Sequence, residues 1–184
     1  MHTKILTVSL IVLAPTLAFA EEPAATTSSG ATLELIRPST RPMYAAFGMS
    51  PAINISNAVS QLKLTQTFGW HLDGNGRGFA VGGEMQESFG SGIFAFQIGP
   101  KAWYDLAIDE SLGIYIAPTA TLGLVYASNS FASDVGFNMQ FGAEVKAVLN
   151  DRILVFFRPF NLDIAIGDAT AVRWDLVFGA GATF

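Results

Sequence analysis

The chain has 184 residues, 15 acidic and 10 basic side chains, a net charge of −5 and no cysteine. The lack of cysteine excludes disulfides, thiolate chemistry and lipid attachment through an N-terminal cysteine. A mildly acidic chain without a basic cluster argues against nucleic acid as a partner.

The N-terminus reads MHTKILTVSLIVLAPTLAFA. His2 and Lys4 precede an apolar run from Ile5 to Leu13, and Ala18-Phe19-Ala20 has small residues where a signal peptidase reads. Residues 1–20 are therefore expected to be a secretory signal peptide cleaved after Ala20. The run is too short for a spanning helix. Residues 21–42, rich in Glu, Pro, Ala, Thr, Ser and Gly, read as a flexible leader. Residues 43–184 suit one domain. They contain no stretch of ~18 apolar residues, so no transmembrane helix is expected; a barrel, whose strands are each only half apolar, passes that test.

Period-two segments then follow one another. The predicted strands are Met43–Met49, Ser60–Leu72, Arg77–Ser88, Gly92–Ile108, Leu112–Ala127, Ser133–Leu149, Arg152–Ile166 and Ala171–Phe184. Thr32–Ile36 (TLELI) is an alternative first strand. Asp73-Gly74-Asn75-Gly76, Phe89-Gly90-Ser91, Asp109-Glu110-Ser111, Asn150-Asp151 and Gly167-Asp168-Ala169 supply residues that tolerate the positive φ angles of hairpin turns. Connections this short leave no room for crossover helices, so an antiparallel meander is predicted. Several segments run about 14–17 residues, against ~5–6 in soluble strands and ~9–11 for a membrane crossing. Eight of them are enough to close a small barrel.

Which face points inward follows from comparing strands. One phase contains Phe94, Phe96, Ile98, Tyr104 and Leu106; Ile114, Ile116, Leu122 and Leu124; Phe137, Met139 and Phe141; and Trp174, Leu176 and Phe178. In these four strands that phase is uncharged. The opposite phase is mostly Gly, Ala and Thr with a few charges, a poor water-facing surface but a good filling for a narrow lumen. The apolar side is therefore expected to face out, towards lipid. Pro100 and Pro118 fall in that phase and are candidate bulges.

With this phase, Lys63, Lys101, Lys146, Arg158 and Arg173 face inward with Glu84, Asp105, Glu144, Asp163 and Asp175. Gln97, Asn138 and Gln140 belong to the same set, with His71 and Gln86 near in phase. Arg158 and Asp163 share a face only if Pro159 introduces a one-residue slip. The interior is expected to be charge-balanced and paired, because buried charges persist when paired.

The chain ends in WDLVFGAGATF, with Trp174, Leu176, Phe178 and Phe184 on one phase. This resembles the C-terminal signature strand of bacterial outer-membrane β-barrel proteins, although Ala180 and Ala182 stand where bulkier residues are common. With the signal sequence and the long hairpins, residues 43–184 resemble the small barrels of the OmpA/OmpX-like superfamily. The resemblance implies an all-β, up-and-down transmembrane barrel of eight strands in the outer membrane, with a periplasmic C-terminus and leader. It also implies recognition by the barrel-assembly machinery through Phe184, Phe178, Leu176 and Trp174, and contact with outer-membrane lipids. Asn150-Asp151, 109–111 and 73–76 then become periplasmic turns, and 89–91, 128–132 and 167–169 short external loops. Trp70, Tyr104 and Phe184 would line one membrane interface, and Phe94, Tyr126 and Trp174 the other.

Catalysis is not expected. His71 is the sole histidine after His2, and this topology places it at the periplasmic end, away from an outer-rim nucleophile. One histidine and no cysteine make a poor metal set. The glycine-rich Asp73–Gly78 joins two strands and not a strand to a helix, so it is a hairpin and not a phosphate cradle. No metal or cofactor is expected, and a monomer is anticipated. Three functions stay open: a packed structural or interaction barrel, a narrow pore for ions or very small solutes, and a soluble lipocalin-like carrier. The neutral, crowded lumen favours the first.

Overall fold

The computed structural model describes residues 40–55, 60–109, 112–168 and 170–184. The signal peptide, most of the leader and the alternative strand Thr32–Ile36 lie outside the described residues, as do Glu110, Ser111 and Ala169 of two predicted turns.

Eight strands follow in order: β1 (Met43–Asn54), β2 (Ser60–His71), β3 (Gly78–Gly90), β4 (Ile93–Asp109), β5 (Ile114–Asn129), β6 (Ser133–Leu149), β7 (Ile153–Ile166) and β8 (Thr170–Thr183). Each pairs antiparallel with its neighbour, and β8 closes on β1. The result is the predicted all-β, up-and-down barrel, whose closure leaves no unpaired edge. Predicted and observed strand ends agree to within about two residues, except in β1. There the strand continues past Met49 through Pro51 to Asn54. The proline masked a continuing alternation in which Ala52 is buried and Ile53 exposed.

The pairing is staggered. From Tyr44 it passes through Gly69, Gly82, Lys101, Thr121, Gln140, Asp163 and Arg173, and returns to β1 at Asn54. Rows of paired residues therefore climb from the end holding both termini towards the opposite end, and the strands tilt. Met43 and Phe184 exchange backbone hydrogen bonds of 3.1 and 2.8 Å at the former, here called the terminal end. The β2–β3, β4–β5 and β6–β7 turns share that end, and the other connections form the loop end. Ser91-Gly92 and Asn150-Asp151 both carry paired positive φ angles, 54° and 72° then 53° and 55°. These are the mirror-image turns whose twist matches a two-residue hairpin.

Pro100 and Pro118 make no bulge. Pairing of β4 with β5 lapses beside each, between Ile98 and Lys101 and between Trp103 and Leu106, and resumes in unchanged register. A missing N–H removes a ladder bond without adding a residue. Pro51 coincides with a similar lapse against β8. Pro159 behaves otherwise. The register shifts across it against both β6 and β8, Pro159 and Phe160 are consecutively exposed, and Arg158 and Asn161 on either side are buried. This is the slip that puts Arg158 and Asp163 on one face.

The faces are sorted with the apolar side out. Phe47, Phe68, Trp70, Ile98, Tyr104, Leu124, Phe141 and Phe178 are exposed, whereas five basic and five acidic side chains are buried. A protein dissolved in water has the reverse arrangement, and hydrocarbon favours this one.

Candidate functional site: the polar lumen

Each polar side chain named above as inward lies inside the barrel and is at most 7% exposed. Alternation along the strands aims them at the axis, and glycines and small residues between them leave room to meet. They sort into three tiers.

In the middle tier, Arg158 on β7 spans two carboxylates. Its Nη2 donates to Glu84 Oε2 at 3.0 Å and to Glu144 Oε2 at 2.9 Å, and its Nε donates to Glu144 at 3.2 Å. Glu84 also accepts from Lys101 Nζ at 2.8 Å and Thr67 Oγ1 at 3.0 Å, and from Gln86. Lys101 lies 3.6 Å from Glu144. Two cations between two anions leave the tier neutral.

In the loop-end tier, Asp163 is the hub. It accepts from Lys63 Nζ at 2.7 Å, Arg173 Nη2 at 2.6 Å, Gln97 Nε2 at 3.3 Å and Asn138. Lys63 also donates to Asp175, which takes Asn161 Nδ2 at 3.1 Å. Arg173 reaches Gln61 at 3.3 Å. Gln140 links the two tiers: it exchanges amide bonds of 2.7 and 2.8 Å with Gln86 and donates to Gln97 and Asn138 at 3.2 and 3.1 Å.

At the terminal end, Asp105 forms an ion pair with Lys146, Oδ1 lying 2.7 Å from Nζ, and its Oδ2 lies 2.5 Å from His71 Nε2, while His71 Nδ1 faces the Pro42 carbonyl at 3.2 Å. Lys146 sits over the rings of Tyr44 and Trp103, 5.3 and 5.1 Å from their centroids, a cation–π arrangement. Tyr44, Trp103 and Tyr115 pack with Ala80, Ala117, Val148 and Leu154 into a floor beneath the polar tiers. His71 is thus held by Asp105, by the chain entering β1 and by the rings of Tyr44 and Trp103.

Gln61, Thr67, Asn161 and the floor tyrosine Tyr44 escaped the sequence reading. Parity could have found Gln61, two residues from Lys63, and Asn161, two from Asp163. Tyr44 shares its phase with Ala46 and Gly48, and that phase carries no charge to mark it. Outside the lumen, Phe178 and Phe184 are exposed, and Trp174 and Leu176 half-buried, on the outer face of β8.

No family model and no curated protein matches the sequence. Among solved structures, the chain is similar to Neisserial surface protein A (NspA), with a TM-score of 0.65 and 11% identity over 79% of this chain and 98% of that one. It is also similar to the N-terminal barrel domain of Pseudomonas aeruginosa OprF, with a TM-score of 0.55 and 13% identity over 77% and 97%. Both are eight-stranded outer-membrane barrels. The chain has their fold. At such identities the likeness speaks for architecture, and what this barrel does rests on its own residues.

Proposed function

We propose that the protein is an integral outer-membrane barrel whose lumen is a plug and whose work is structural or interactive, done by its outer wall and its ends. The observation that carries this reading is Arg158, 1% exposed and bridging Glu84 and Glu144 across the barrel. Ions crossing the lumen would have to separate charges that hold one another in a low-dielectric interior, where an unpaired charge is costly. The aromatic floor adds a second obstruction at the terminal end. By the family resemblance, that end and the C-terminus face the periplasm, and Phe184, Phe178, Leu176 and Trp174 present the assembly signal. Outer-membrane lipids are then the constant partner of the apolar wall.

Planar-bilayer recording of the purified barrel tests the plug. The reading expects no steady unitary current. Unitary currents altered by Lys101→Ala would instead establish a narrow pore.

A further inference from the structure

The outer wall has one polar interruption. Among the described residues, the outward positions of the eight strands between their rims are apolar or glycine except for two: Gln66 on β2 and Glu87 on β3, both half-buried. Ser60, Ser128, Ser133 and Thr170, also outward, stand at the loop-end rim. Glu87 is surrounded by Leu64 and Phe96, its cross-strand partners, and by Met85 and Phe89 along its own strand. Gln66 lies between Phe47 and Met85. Neither side chain makes a hydrogen bond or ion pair among the described residues.

Their placement is specific. Glu87 pairs with Leu64, one step towards the loop end from Gln66, so the two are diagonal neighbours about 8 Å apart. Because paired rows climb from β2 to β3, that diagonal runs nearly along the barrel axis, and Glu87 stands above Gln66. A polar group facing hydrocarbon without a partner is costly, and in membrane proteins it points to a function by default.

We propose that this wall of β2 and β3 is a docking site, within the membrane, for a membrane-spanning protein segment that brings a cationic side chain to Glu87 and a hydrogen-bonding group to Gln66. The inference rests on the membrane-facing reading of the outer wall. Charge complementarity selects the occupant. Among its described residues, a second copy inserted in the same sense supplies no cation: Lys63, Lys101, Lys146, Arg158 and Arg173 are buried in the lumen, and Arg41, Arg77 and Arg152 lie at the terminal end. A two-fold axis along the membrane normal would set Glu87 against Glu87. A lipid headgroup at the Phe89–Phe94 girdle lies one residue pair from Glu87 but cannot also reach Gln66 deeper in the wall. A protein segment meets both, since about 8 Å is roughly five residues of helix.

The test uses the purified chain in phosphatidylcholine vesicles, labelled at Asn75→Cys in the exposed β2–β3 turn; the chain has no other cysteine. Energy transfer is measured to a polyleucine transmembrane peptide carrying one lysine at the depth of Glu87 and one serine about five residues away at the depth of Gln66, and to the same peptide with leucine at both positions. The lysine peptide should associate at least about tenfold more tightly, as a charge-assisted contact in low dielectric implies. Glu87→Leu should remove that preference and Gln66→Leu should reduce it. Equal association of both peptides, or a preference untouched by Glu87→Leu, overturns the proposal. If a cationic lipid added to the vesicles abolishes the preference while Gln66→Leu does not change it, the site belongs to a headgroup and the protein partner is refuted. A chain that does not float with the vesicles overturns this proposal and the membrane reading together; one that floats but binds both peptides alike overturns the docking site alone.

Discussion

Arg158 and Glu84 stand on β7 and β3, strands on opposite sides of the eight-stranded ring, and their side chains meet with Nη2 3.0 Å from Oε2. A contact between opposite walls means that the lumen at this height has no free diameter. Lys63 on β2 with Asp163 on β7, and Gln97 on β4 with the same Asp163, repeat the crossing nearer the loop end. The tiers therefore brace the barrel from within, doing for this fold what an apolar core does for a soluble one.

Removing one member of such a brace should cost more than removing the brace. Arg158→Ala strands Glu84 and Glu144 and is expected to destabilise the barrel by about 3–5 kcal/mol in urea unfolding from vesicles. Arg158→Met combined with Glu144→Gln keeps Lys101 paired with Glu84 and should lose much less than the sum of the two single changes. Strict additivity would show that Arg158 and Glu144 do not belong to one network.

Pro159 makes a prediction about length. It is the extra residue of the bulge, so deleting it leaves Arg158, Asn161 and Asp163 all facing inward. The shortened chain should still fold and keep a heat-modifiable shift in gel mobility. Deleting Leu162 changes the parity between Asn161 and Asp163 and turns one of them towards lipid or drives Phe160 into the lumen. That variant should fail to acquire the compact mobility.

Gly69 is required by Trp103. A Cβ on Gly69 would lie 2.0 Å from Trp103 Cη2, so the ring of the aromatic floor occupies the space a side chain would need. Gly69→Ala should destabilise by about 1–3 kcal/mol, as overpacking does. Trp103→Phe should relieve the clash, so the double variant should lose less than the two single losses combined.

The terminal end holds the entering chain at its surface. Asp151 accepts from Thr40 N at 2.8 Å and Thr40 Oγ1 at 3.1 Å, and lies 3.5 Å from Arg41 Nε. Exposed contacts of this kind are worth about 0–1 kcal/mol. Asp151→Gly, which keeps the positive φ of the turn, should therefore speed protease cleavage near Thr40 while leaving the unfolding of the barrel almost unchanged.

Much of this architecture was legible because a strand's two faces alternate unless a residue is added. DVGFNMQFGAEVKAVL on β6 showed both faces, and its ends agree with the observed strand. The slip at Pro159 was legible too, since two charges could share a face only if it occurred. What alternation cannot convey is register between distant strands. That Lys63 meets Asp163 and Asp175, and not Glu84, depends on the stagger accumulated around the ring. Pro100 and Pro118 misled for a related reason: a proline marks a lost hydrogen bond, and whether a residue is also added depends on the partner strand. Gln66 and Glu87 drew no notice as outward residues because a single strand cannot reveal that two polar exceptions are neighbours.

The central claim is that the apolar face meets lipid and the polar face fills the interior, and the three tryptophans of the chain report on it directly. Trp70 is 54% exposed on the outer wall, Trp174 is half-buried on the same face, and Trp103 is 2% exposed in the lumen floor. Single-tryptophan variants, with the others replaced by Phe, would be reconstituted into vesicles of lipids brominated along their acyl chains. The account predicts strong quenching of Trp70 and Trp174 and little quenching of Trp103. Quenching of Trp103 with sparing of Trp70 and Trp174 would contradict it.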